Sequence, residues 1–117
     1  MKNRVLVWGF SNNLAGTEAV VSNWISCLSD DLAFDVISHE DAPHYADLFK
    51  GDNRLIVIPP RRFLREYKAG LNKLIEEKAH LYSAVWCNFN SYSNIDILKM
   101  AAQSNIPKRI IHAHNAG

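Results

Sequence analysis

Val5-Leu6-Val7-Trp8-Gly9-Phe10 is an unbroken apolar run, and Ser11-Asn12-Asn13 follows it at once as a cluster of turn formers. A strand with one wet face alternates apolar and polar residues, whereas a strand covered on both faces does not. The run therefore predicts an inner strand of a parallel sheet with helices on its two sides. From Thr17 the spacing becomes helical, with Val20, Val21, Trp24, Ile25 and Leu28 on one stripe. Thr17 is placed to cap this helix, and Glu18 in its first turn suits the helix dipole. Cys27 lies inside the same pattern and reads as a buried thiol acting as a small hydrophobe.

The alternation repeats along the chain. Phe34 to Ser38 is a second strand, and the less regular stretch Asp41 to Gly51 predicts a short helix after Pro43. Arg54 to Ile58 is a third strand, stopped by Pro59-Pro60. Leu64, Tyr67, Leu71, Leu74 and Ile75 line one face of a longer helix, slightly weakened by Gly70. Ala84 to Cys87 is a fourth strand. Ser91 or Ser93 can cap the next helix, whose buried face uses Ile95, Leu98, Ala101 and Ala102. Asn105-Ile106-Pro107 ends it, and Arg109 to Ala113 is the fifth strand. Strands alternating with helices are βαβ units, and right-handed crossovers leave few topologies. The expectation is an α/β three-layer sandwich, Rossmann-like, whose five-stranded parallel sheet has the order 3-2-1-4-5.

Composition narrows the function classes. At 117 residues the chain is expected to be one domain, and 48% hydrophobic with 21% charged residues is ordinary for a globular one. A net charge of +1 gives no global reason to expect a nucleic-acid partner. No apolar run approaches the ~20 residues of a membrane span, and the first apolar stretch is too short for a signal peptide, so a cytoplasmic protein is expected. Cys27 and Cys87 do not suggest a disulfide framework.

In an open α/β sheet, ligands bind beyond the carboxyl ends of the strands at the point where the strand order reverses. Here that point lies between the first and fourth strands, so the flanking loops are Ser11–Thr17, Asn88–Ser93 and His112–Gly117. The first loop ends in Ala15-Gly16-Thr17, small residues before a helix that let an anion approach backbone N–H groups. It is neither a G-x-G-x-x-G fingerprint nor a P-loop, and a plain strand–helix turn is the alternative. The second loop, Asn88-Phe89-Asn90-Ser91-Tyr92-Ser93-Asn94, sets amides and hydroxyls among two aromatic rings, a combination suited to sugars. Turn and cap formation accounts for part of it. His112 and His114 share one face of the fifth strand. They could touch substrate phosphates or hydroxyls, supply a general base, or bind metal with Cys87. The last is disfavoured, because Cys87 points away from the loop face if Asn88 points into it. His39, His44 and His80 are expected at or near the surface.

One further stretch, Pro59-Pro60-Arg61-Arg62-Phe63-Leu64-Arg65-Glu66-Tyr67-Lys68, puts four cations near a helix start, where the dipole does not favour them. The expectation is a solvated helix face diluted by Glu66, Glu76 and Glu77. The alternative is contact with anionic lipid head groups or a phosphate-bearing acceptor.

Taken together, Leu14-Ala15-Gly16-Thr17-Glu18, Ile58-Pro59-Pro60-Arg61-Arg62, Asn88 to Ile95 and Pro107 to Asn115 resemble the N-terminal domain of GT-B glycosyltransferases of family 4, of the bacterial capsular or exopolysaccharide type. The resemblance spans essentially the whole chain and is carried by the combination of segments. It implies two Rossmann-like domains facing a cleft and hexosyl transfer from a nucleotide-sugar donor, which is a substrate; no cofactor is implied. The N-terminal domain holds the acceptor, often a lipid-linked saccharide, and a C-terminal domain holds the nucleotide. It further implies a catalytic or sugar-contacting role for His112, a donor-phosphate loop at Ala15, Gly16 and Thr17, and acceptor contacts from Asn88, Asn90, Ser91, His114 and Asn115. Peripheral contact with the inner face of the membrane follows from a lipid-linked acceptor.

Two positions depart from the family. Ala15 stands where relatives commonly have a first glycine, which narrows backbone freedom near the phosphates. Trp86-Cys87-Asn88 stands where relatives often have His-x-His, so no role of those histidines transfers. A nucleotide-sugar domain is missing from these residues, so the expectation is a piece of an enzyme roughly threefold longer, inactive alone. The alternatives are a stand-alone flavodoxin-like binding or regulatory module, or a non-catalytic subunit of a split glycosyltransferase. A response-regulator receiver is excluded by Ser11-Asn12 and Pro59-Pro60 where acidic residues are required. A flavin module would want a Ser/Thr-rich phosphate loop, for which Ser11 and Thr17 are thin evidence.

Overall fold

The computed structural model describes residues 2–10, 17–89 and 96–113. Among them, five strands form one parallel sheet: β1 (Asn3–Phe10), β2 (Leu32–Ser38), β3 (Arg54–Val57), β4 (Tyr82–Phe89) and β5 (Lys108–Ala113). The order is β3-β2-β1-β4-β5, as expected. Three α-helices connect them: α1 (Thr17–Leu28), α2 (Leu64–Lys78) and α3 (Asp96–Gln103). The irregular stretch after Pro43 is a kinked 3-10 segment, Pro43–Phe49.

Each face of the sheet carries its own core. Val5, Val7 and Phe10 of β1, with Phe34, Val36 and Trp86, meet Val21 and Ile25 of α1. Leu6 and Trp8, with Ile37, Val85 and Cys87, meet Tyr67, Leu71, Leu74 and Ile75 of α2 and Ile97 and Ala101 of α3. Val5 and Val7 thus face one covered side and Leu6 and Trp8 the other, with Phe10 returned to the first side past the register shift at the tip, and cover on both sides is why the run does not alternate with polar residues.

The buried stripes are narrower than the apolar patterns suggest. On α1, Val21 and Ile25 are buried, but Trp24 is 51% exposed and Val20 and Leu28 are exposed too. Cys27 is exposed rather than buried. It lies two residues past Ile25, about 200° around the helix, and so faces away from the sheet. Leu64 is exposed at the first turn of α2, and Ala102 is exposed one position around α3 from the buried Ala101. α3 ends where Asn105 adopts φ 60°. The Ile106 N–H donates to the Ala101 carbonyl and the Asn105 N–H to that of Ala102, which is the Schellman arrangement with asparagine in the left-handed position.

The amino edge of the sheet is tied by one carboxylate. Asp35 is fully buried, accepts from Arg4 Nη1 at 2.5 Å and from the Tyr82 hydroxyl at 2.7 Å, and so links β1, β2 and β4. Asn53, also buried, accepts from the Phe34 N–H and donates to Ser29 Oγ and the Leu48 carbonyl, fixing the turn into β3.

Candidate functional site

At the carboxyl edge the tip of β1 leaves regular geometry. Its pairing with β2 shifts register between Val7 and Phe10, and Gly9 adopts φ +92°. A Cβ at Gly9 would overlap the Asn88 carbonyl oxygen and come within 3.0 Å of its carbon. Glycine is therefore required by both torsion and space. Asn88 itself is buried and donates from Nδ2 to the Trp8 carbonyl at 3.3 Å. The residue expected to meet an acceptor thus also has an architectural task, because it joins β4 to β1 at the carboxyl edge.

Register pairs Asn88 with His112 and Phe89 with Ala113 across β4 and β5. The structure thereby brings two of the expected site positions side by side at the edge where the strand order reverses. Thr17 is the first residue of α1. Ala15, Gly16, Asn90, Ser91, His114 and Asn115 lie outside the described residues, as does the side chain of His112. Cys87 points into the core beneath α2 and α3, and burial pushes its thiol up to about 12. Among the described residues no three histidine, cysteine or acidic side chains gather as metal ligands.

A shallow recess of about 340 Å³ opens beside the tip of β1, lined by Phe10, His39, Glu40, Pro60 and Arg62. The ends of β1, β2 and β3 supply these residues, on the other flank of β1 from Asn88. His39, expected near the surface, is exposed yet held. Its Nδ1 lies 2.9 Å from the Ile58 carbonyl, and its ring meets Trp8 edge-on at 5.5 Å. A carbonyl only accepts, so the shared proton sits on Nδ1. Ser38 Oγ donates to the Glu40 carbonyl and accepts the Glu40 N–H, which fixes the turn that presents both side chains. Sequence spacing gave no sign of this recess, because His39 and Arg62 are far apart in the chain and meet only through the pairing of β2 with β3. The available signal was topological, since both follow strands at the carboxyl edge.

The recess sets a fixed imidazole, the Arg62 guanidinium and the Glu40 carboxylate around an apolar surface of Phe10 and Pro60. Comparison with family models, with curated proteins and with solved structures returns no match. No helix among the described residues is long and apolar enough to cross a membrane.

Proposed function

We propose that the chain is the acceptor-side domain of a cytoplasmic glycosyltransferase, moving a sugar from a nucleotide-sugar donor to a saccharide or lipid-linked saccharide in cell-surface polysaccharide synthesis. The observation that carries the reading is the register of β4 and β5, which sets Asn88 beside His112 at the carboxyl edge, next to the tip of β1. The four segments that resemble family 4 enzymes follow or end strands β1, β3, β4 and β5 at that same edge, which supports a single site. In this reading His112 contacts the transferred sugar or assists its transfer. Asn88, Asn90, Ser91, His114 and Asn115 receive acceptor hydroxyls, and Ala15, Gly16 and Thr17 approach the donor phosphates. The nucleotide is held by a C-terminal domain or a partner chain. His39 adds a fixed imidazole on the opposite flank of β1.

Titration of the isotope-labelled chain with oligosaccharides and with nucleotide-sugars tests this division of labour. Saccharides should shift the amide signals of Asn88 and His112, and nucleotide-sugars should bind weakly or not at all. Tight nucleotide binding without a saccharide response would overturn it. A chain that purifies yellow with bound flavin would favour a flavodoxin-like module instead.

A further inference from the structure

We infer that the apolar flank of α1, with the open strand surface beside it on β4 and β5, is an interface between two copies of this chain related by a two-fold axis parallel to the strands. Val21 and Ile25 face the sheet. Val20 and Trp24, each one residue earlier, therefore lie about 100° around the helix on one flank, and Leu28 follows one turn after Trp24. All three are exposed. The Trp24 ring stacks on Trp86 of β4 at 5.7 Å, which turns this flank toward β4 and β5. Ile110 pairs with Trp86 in register, so it lies on the same face of the edge strand β5, and it is 48% exposed. α2 and α3 pack on the opposite face. The 3-10 segment after β2 packs on the α1 face through Tyr45, Leu48 and Phe49, on the far side of α1 from β5. Among the described residues the layer over this face thus stops at α1, and Ile110 lies beyond it.

Charge selects the occupant. The open surface is apolar at Trp86 and Ile110 and cationic at one end, where Lys108 starts β5 at the amino edge. It fits an element with an apolar stripe and an anionic end, and α1 itself has both. No basic residue stands in the last turn of α1, where the dipole is negative, and the exposed Asp30 and Asp31 follow. The nearest cations are engaged: Lys2 with Asp52 and the Ser29 carbonyl, and Arg4 with Asp35. Among the described residues Asp30, Asp31 and Lys108 form no ion pair. A two-fold axis parallel to the strands keeps the two amino edges level. The anionic end of each α1 then meets Lys108 of the other copy, while Val20, Trp24 and Leu28 cover the other copy's Ile110. One operation closes both open faces and leaves none exposed for a third copy. Cys27, two turns from Val20 on the same line of the helix, is covered with them. The association requires neither sugar nor nucleotide, so it stands apart from the transfer reading.

Sedimentation equilibrium of the chain over a wide range of concentration tests it. A monomer–dimer equilibrium is expected, with nothing larger. Val20→Glu, at a position exposed in the single copy, should raise the dimer dissociation constant roughly a hundredfold or more by burying an unpaired carboxylate in each half. Lys108→Glu should raise it roughly tenfold. Adding Asp30→Lys with Asp31→Lys to Lys108→Glu should restore most of that loss, a rescue that a folding defect cannot mimic. Labelling of Cys27, fast in the dilute chain, should slow where the dimer forms. A chain that stays monomeric at every concentration would overturn the proposal and leave the face to a different protein or another segment. A dimer that ignores Val20→Glu and the charge exchange would overturn it too, as would open-ended assembly through the edge of β5.

Discussion

The carbonyl oxygen of Asn88 faces the α-carbon of Gly9 so closely that any side chain at position 9 would overlap it. Gly51 also has a positive φ, +66°, but nothing lies within 4 Å of where its Cβ would be. The two glycines therefore separate torsion from space. Gly51→Ala should cost about 1 kcal/mol, the ordinary penalty for a left-handed residue with a side chain. Gly9→Ala adds a collision with the backbone of β4 and should cost about 3 kcal/mol or more. Urea unfolding of the two variants measures the difference, and equal losses would refute the close approach.

Stability should fall at alkaline pH through two buried groups. Burial raises the Cys87 thiol from 9.0 to about 12, and burial with the hydrogen bond to Asp35 raises the Tyr82 phenol well above 10.0. Both hold their proton more tightly folded than unfolded. Below pH 9 neither makes stability depend on pH. Above pH 9 the unfolded chain loses the thiol proton, and above pH 10 the phenol proton, while the folded chain keeps both. Each then removes up to about 1.4 kcal/mol per pH unit. Urea midpoints should be level up to pH 9 and drop beyond it. Tyr82→Phe should flatten the loss above pH 10, at a cost of about 1–3 kcal/mol at neutral pH from the weakened Asp35 cluster.

The two cysteines should react differently. Cys27 is exposed and Cys87 fully buried with a raised thiol. A thiol reagent at pH 8 should label one cysteine quickly, and Cys27→Ser should abolish that fast phase. Labelling of Cys87 should await urea. Two fast thiols in the folded chain would contradict its place in the core.

Asn105 ends α3 in the left-handed region, where glycine is the usual residue. Asn105→Gly should leave thermal stability unchanged or raise it by about 0.5–1 kcal/mol. Asn105→Val should lower it by about 1–2 kcal/mol, since a β-branched side chain meets the preceding carbonyl there.

These positions show how far a single sequence carries. The five strands were legible because each is a short apolar run between turn formers, and right-handed crossovers left few orders to choose among. The outward turn of Trp24, Cys27 and Leu28 was not, since helical spacing ranks positions by angle but cannot say how wide a stripe the sheet covers. Nor was the torsion of Gly9, which reads as one more small residue in an apolar run until β4 is laid against it. Asn88 and His112 could be placed at one edge from topology. His39 and Arg62 could not be joined beforehand, because their meeting depends on where β3 stops and α2 begins.

The strand order has a further consequence, in time rather than space. β1 pairs with β2 on one side and with β4 on the other. During synthesis β2 follows soon after β1, but β4 arrives only after β3 and α2 have been made. At ~5–20 residues per second, the central strand carries an open edge for several seconds on each ribosome. That interval, before Asn88 closes over Gly9, is when the nascent chain has most need of a chaperone.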